Sequence, residues 1–189
     1  MFQQYAEQSK SLLPFAAPNS IFELPGRAGI GWGFWQMYNN WPVVLAAASL
    51  LTSPDDPLVR SPALSPTTTT GGERSLSHGV YLYSNTMIAR PELWRPGALP
   101  EERLKAPVGL HEVLYPSRKV ILWDAWPLYG WARTEPIPGT PGPMAFVDGH
   151  VAVLRTADAS EPVQNPFWGT GGPERLMTTL DGARGVDYP

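Results

Sequence analysis

The segment from Met144 to Leu154, MAFVDGHVAVL, constrains the fold most, because apolar residues flank an Asp-Gly pair on both sides. Asp-Gly suits a type I′ turn, whose two central residues both need positive φ. The segment therefore predicts a hairpin with a two-residue loop at Asp148-Gly149. In that register Val147 pairs with His150, Phe146 with Val151, and Met144 with Val153. Met144, Phe146, Val151 and Val153 then share one face, while Ala145, Ala152 and Leu154 line the other. Both faces are largely apolar, so the hairpin is expected to be packed on both sides.

Elsewhere, 22 Pro and 18 Gly break the chain into short pieces. Residues 2–13 place Phe2, Tyr5, Ser9 and Leu12 or Leu13 at helical spacing, and Pro14 and Pro18 end that segment. Residues 15–34 read as an irregular packed loop rich in Gly, Pro and aromatics. A second helix is expected near Asn40, with Asn40 as its cap and Pro42 in its first turn, running through VVLAAASLL to stop before Pro54. Residues 53–77 are a loop. His78 to Tyr83 alternates like a half-buried strand. Residues 90–107 form a Pro-rich connection, and Gly109 to Tyr115 a short helical turn. Lys119 to Trp123, KVILW, suits a central strand closed by Asp124. Residues 156–189 read as a loop-rich tail with Phe167 and Trp168 as anchors. The fold class is α+β, one domain over 1–189, with an N-terminal helix packed on a small antiparallel sheet.

Composition excludes several functions. Only 16% of residues are charged, net charge is −3, and the 14 basic residues form no stripe, which argues against a nucleic-acid partner. The absence of cysteine removes disulfides, thiolate metal sites and Cys nucleophiles together. No basic n-region followed by an apolar h-region opens the sequence. The most apolar stretch, residues 30–51, holds Gln36, Asn39, Asn40 and Pro42, which a membrane-spanning helix tolerates poorly. It reads as a buried helix after an aromatic loop; the other reading is an interfacial anchor through Trp32, Trp35 and Trp41.

The order of these pieces resembles the pilin-like proteins with a C-terminal H-X9-DG motif, related to type II secretion pseudopilins. YAEQSKSLLP looks like the end of the long N-terminal pilin helix, so residues 1–14 would be its remnant. NWPVVLAAASLL looks like the second helix, and LVRSPA sits where a Cys-Pro segment often stands, with Ser61 in place of the Cys. SHGVYLYSN, YPSRKVILWDA and MAFVDGHVAVL resemble the strands that follow, the last through Phe146, Asp148, Gly149 and His150. The family's defining His would fall at Pro138, and its apolar half-helix with a processing site is not in this sequence. The resemblance implies a non-enzymatic, extracytoplasmic structural subunit in a homo-polymer or membrane-associated envelope complex. Membrane contact would be indirect or through the missing helix. Such a subunit would act by packing, with helix and aromatic loops against neighbours and the sheet outward. A soluble accessory subunit of a membrane complex is the variant of that reading.

Some pseudopilins bind calcium in a C-terminal loop, which implies a divalent-ion site from Asp124, Asp148 and His150. Turn chemistry alone also explains Asp148, and strand closure Asp124. No G-x-S-x-G elbow supports a hydrolase, and Gly169-Thr170-Gly171-Gly172 lacks the strand and Gly-Lys ending of a phosphate loop. Eight Trp could form a core, an interface or a sugar-stacking platform, in that order of preference. Trp126, Tyr129 and Trp131, in a Pro/Gly-rich loop, are the candidate exposed patch. A carbohydrate- or ligand-binding module using these Trp loops is the alternative function.

Overall fold

Pro91, Pro116 and Pro141 each stand at the start of a regular element, where a missing N–H and a fixed φ do no harm. The structure, a computed structural model, describes residues 1–16, 21–24, 27–31, 34–53, 56–59, 81–124, 141–168 and 175–189; the side chains of residues 21–31, Gln36, Asn39 and Pro57 fall outside that description. Among the described residues the longest element is the 11-residue helix α2 (Met37–Ala47). A shorter helix, α1 (Phe2–Gln8), precedes it. Two strands, β1 (Ile21–Leu24) and β2 (Arg27–Gly31), pair antiparallel as a separate ribbon. The main sheet is antiparallel, with β3 (Tyr81–Tyr83), β4 (Val120–Asp124), β5 (Pro141–Phe146) and β6 (Val151–Arg155) side by side in chain order. The architecture is a small α+β fold.

Several expected boundaries move, each because tertiary packing outweighs local spacing. The first helix ends at Gln8 rather than at residue 13, since Lys10 and Ser11 turn into the left-handed region. The chain then bonds laterally: Leu13 N–H donates to the Val108 carbonyl at 2.9 Å, and Leu110 N–H to that of Ser11 at 2.8 Å. The stretch read as a loop over 15–34 contains the β1–β2 ribbon; its sequence signal was Pro25-Gly26 between two apolar runs. The second helix starts at Met37, not at an Asn40 cap, and ends at Ala47. The spacing of its core face accounts for that start: Met37, Trp41, Val44 and Leu45 are all buried. Pro42 lies inside the helix, and lacks the N–H that would bond the Tyr38 carbonyl.

The Lys119 to Trp123 expectation holds as a central strand, β4, and the described part of the His78 to Tyr83 segment as β3. The hairpin also holds, but not its register. Gly149 N–H donates to the Phe146 carbonyl at 3.0 Å, and Phe146 N–H to the His150 carbonyl at 2.9 Å. Only Gly149 in this turn has positive φ, +94°. The loop is therefore three residues, a type I turn on Val147 and Asp148 followed by a glycine bulge. One extra loop residue slips the pairing to Met144 with Ala152 and Ala145 with Val151. A one-residue slip exchanges the faces of β6, so Ala152 and Leu154 turn to the side of Met144, and Val151 and Val153 leave it.

The sheet has cover on both faces, except at β6, where exposed Val151 and Val153 leave the hairpin packed on one side and not, as expected, on both. One face packs Tyr83 and Ile121 against α2, with Phe2 and Tyr5 of α1 beside them. Phe2 lies over Trp41 and Tyr83 at 5.5 and 5.7 Å between ring centres. The other face packs Val120, Trp123, Met144 and Phe146 against Ala159, Leu176 and Met177, joined by Tyr38 and Tyr188. A third cluster holds Leu93, Trp94 and Leu104 against Trp35 and Phe167. Trp41, Trp94 and Trp123 are thus core residues, and Phe167 is an anchor of the tail, as its sequence suggested.

The second face is closed by a polar knot. Lys119 and Asp187 are both fully buried, and Lys119 Nζ donates to Asp187 Oδ1 at 2.9 Å. Val120 N–H donates to Asp187 Oδ2 at 2.7 Å, and the Thr179 hydroxyl donates to Asp187 Oδ1. Asp187 N–H in turn donates to the Arg118 carbonyl at 3.0 Å. Burial pulls the Lys119 ammonium below the ordinary lysine range although Asp187 holds it up. Removing one partner leaves the other charged and buried without compensation, so Asp187→Ala or Lys119→Met costs about 3–5 kcal/mol. The double variant Lys119→Met/Asp187→Leu costs less than the sum of the two singles, as read from urea unfolding midpoints.

Candidate functional site

The residues singled out around the Asp-Gly pair meet at the β5–β6 tip. Two backbone bonds moor the tip to the turn before β4: Val147 N–H to the Lys119 carbonyl at 3.0 Å, and Asp148 N–H to that of Pro116 at 3.2 Å. Asp148 Oδ1 accepts from His150 twice, from its backbone N–H at 3.1 Å and at ring Nδ1 at 2.6 Å. The His150 ring lies flat on buried Phe146, with centres 4.1 Å apart and planes 10° apart. Stacking and the Nδ1 bond together fix the imidazole. The His150 side-chain bond, then its backbone N–H, hold the Asp148 carboxyl below its ordinary value.

Asp124 does not join this group. It is the last residue of β4 and pairs with Tyr81, whereas the tip adjoins Val120, which pairs with Phe146. Four residues of strand, about 13 Å, separate the two ends of β4. Among the described residues no group of three or more His, Asp or Glu side chains is placed to hold a metal ion. Trp126, Tyr129 and Trp131, and Pro138, lie outside the described residues.

The β6 edge is the feature that sequence reasoning missed, because it follows from the register. Phe146 and His150 form a hydrogen-bonded pair, and such pairs alternate along an antiparallel ladder. Met144 with Ala152 and Gly142 with Leu154 are then bonded pairs. Pro143, which has no N–H to give, falls at an unbonded position, as it must. The N–H and C=O groups of Val151, Val153 and Arg155 therefore point away from β5, into the open edge of the sheet. Their side chains stand on the face opposite Met144, and Val151 and Val153 are each 66% exposed. The helical layer that covers this face at β3 does not extend over them.

The other edge is covered. β3 is three residues long and lies against α2, and Trp41 Nε1 donates to the Tyr81 carbonyl at 2.9 Å. On the β6 side, the described partner is the Tyr188 hydroxyl, which donates to the Arg155 carbonyl at 3.0 Å. Burial, then the Asp187 and Asp158 charges, push the Tyr188 hydroxyl well up, so it stays a donor at any physiological pH.

No family model matches the chain, and neither a curated protein nor a solved structure shows significant similarity to it.

Two outcomes follow from the tip. The Asp148 carboxyl is expected to titrate below the ordinary aspartate range in carbon NMR, and Asp148→Asn to remove that transition. Because its folded value is depressed, the carboxylate's contribution is fully present above the ordinary aspartate value and is lost as pH falls through the lowered one.

Proposed function

We propose that the chain is a non-enzymatic structural subunit of a bacterial envelope or extracellular assembly, pilin-like in its α+β plan, that acts by packing against other subunits. The observation that carries this reading is the β6 edge: two exposed valines above a row of outward backbone N–H and C=O groups. A sheet edge in a free-standing protein is ordinarily guarded by lysine, proline, a bulge or a covering element. Val151 to Leu154 carry neither lysine nor proline, and Val151 and Val153 stand exposed, whereas β3 at the opposite edge has α2 beside it. An unguarded apolar edge suits a strand that gains a neighbour in its working state.

The order of the sequence motifs also supports the pilin-like form of the reading, from YAEQSKSLLP to MAFVDGHVAVL. So does the tip, where Asp148 and His150 stand exposed over buried Phe146 beside the edge. The proposed setting is extracytoplasmic, with other protein chains as partners.

Native material decides the matter. Gentle extraction from the source organism, followed by mass photometry and negative-stain imaging, is expected to find the chain in particles much larger than its 20.7 kDa. Recovery only as a compact monomer under those conditions overturns the proposal.

A further inference from the structure

We infer that β6 pairs antiparallel with β6 of a second copy of this chain, about a two-fold axis through Ala152, joining the two four-stranded sheets into one. The inference rests on the reading of the β6 edge as a subunit contact and names the partner that fits it.

Three features select a second copy and this register. In antiparallel pairing about Ala152, Val151 lies opposite the partner's Val153, and Val153 opposite the partner's Val151. Both residues direct their N–H and C=O groups outward, so each opposed pair exchanges both backbone bonds. Their side chains stand on one face, so the exposed valines of both copies meet in a single apolar row. The strand is also polar in charge along its length. It starts beside the acidic tip at Asp148 and ends on Arg155. Antiparallel pairing sets Arg155 opposite the partner's Gly149 and beside the partner's Asp148, so unlike charges adjoin at both ends. Parallel pairing would set like charges together.

The third feature is what the register leaves alone. On the opposite face the axis brings two Ala152 side chains together, small enough for close approach. The Arg155 carbonyl, already bonded to the Tyr188 hydroxyl, lies outside the central bonded pairs. Pairing about Val153 instead would press that carbonyl into service and separate the basic end of one strand from the acidic tip of the other. The Ala152 register therefore satisfies the edge with the fewest conflicts.

Sedimentation equilibrium on the full purified chain tests the inference, with circular dichroism melting as the control for folding. The wild-type chain is expected to dimerise reversibly. Val153→Lys is expected to weaken the dimer by about tenfold or more, since it sets an ammonium into the valine row of each copy. Its melting temperature should stay near that of the wild-type monomer, because the side chain it replaces is 66% exposed. Arg155→Asp alone should weaken the dimer, and Arg155→Asp combined with Asp148→Lys should restore it. A wild-type chain that stays monomeric at high micromolar concentration overturns the inference. So does a folded Val153→Lys variant that dimerises as tightly as wild type, and failure of the charge exchange overturns the Ala152 register. A dimer that never appears in larger native particles leaves the pairing standing while the assembly proposal fails.

Discussion

The pairing of Lys119 with Asp187 is the interaction on which the rest of the structure depends. An ammonium and a carboxylate withdrawn from water gain little net stability from their attraction, because desolvation consumes most of it. What the pair supplies is position. Asp187 accepts from the Lys119 ammonium, the Val120 amide and the Thr179 hydroxyl, so its carboxylate is satisfied only when three separate segments are in place. The start of β4, residues near 179 and the segment around 187 are thereby held in one register. Apolar contacts among Met144, Leu176 and Met177 could slide against one another; this knot cannot.

That register passes outward to the tip and the edge. The carbonyl of Lys119 receives Val147 N–H, so the residue that anchors the knot also anchors the turn. Next to Asp187, Tyr188 sends its hydroxyl to the Arg155 carbonyl and to Met144 Sδ, both at 3.0 Å, and its ring lies 6.1 Å from that of Phe146. The C-terminal segment thus occupies one face of the β5–β6 hairpin and trims the Arg155 end of the edge strand. On the other face, Val151 and Val153 stand beyond the reach of the helices. Their exposure is a direct result of the single extra residue in the turn.

Much of the sheet was legible in sequence because strands announce themselves by composition and by what bounds them. KVILW between polar residues, and apolar runs around Asp-Gly, identified β4 and the hairpin without help from the rest of the chain. What local pattern could not decide was how many residues the turn would take. Asp148-Gly149 fits a two-residue loop, but it equally fits the last two positions of a three-residue loop, where only the glycine needs positive φ. The Phe146-His150 stack and the mooring of Val147 to Lys119 favour the longer loop, and both involve packing that sequence alone does not display. Helix boundaries shifted for the same kind of reason. Lys119 read as a polar flank, and Asp187 as part of an irregular tail, because a bond across 68 residues has no local signature.

The same long span gives the fold a direction in time. A ribosome releases β4, with its buried lysine, well before the residues that answer it. Until residues 176–187 emerge, the face of the sheet holding Trp123, Met144 and Phe146 lacks the cover of Leu176 and Met177, and Lys119 lacks Asp187. The helix-covered face can form first from segments already synthesised, since Trp41, Tyr83 and Ile121 all precede the hairpin. The last cover of that face and the counter-charge of Lys119 both come from the C-terminal side of the chain.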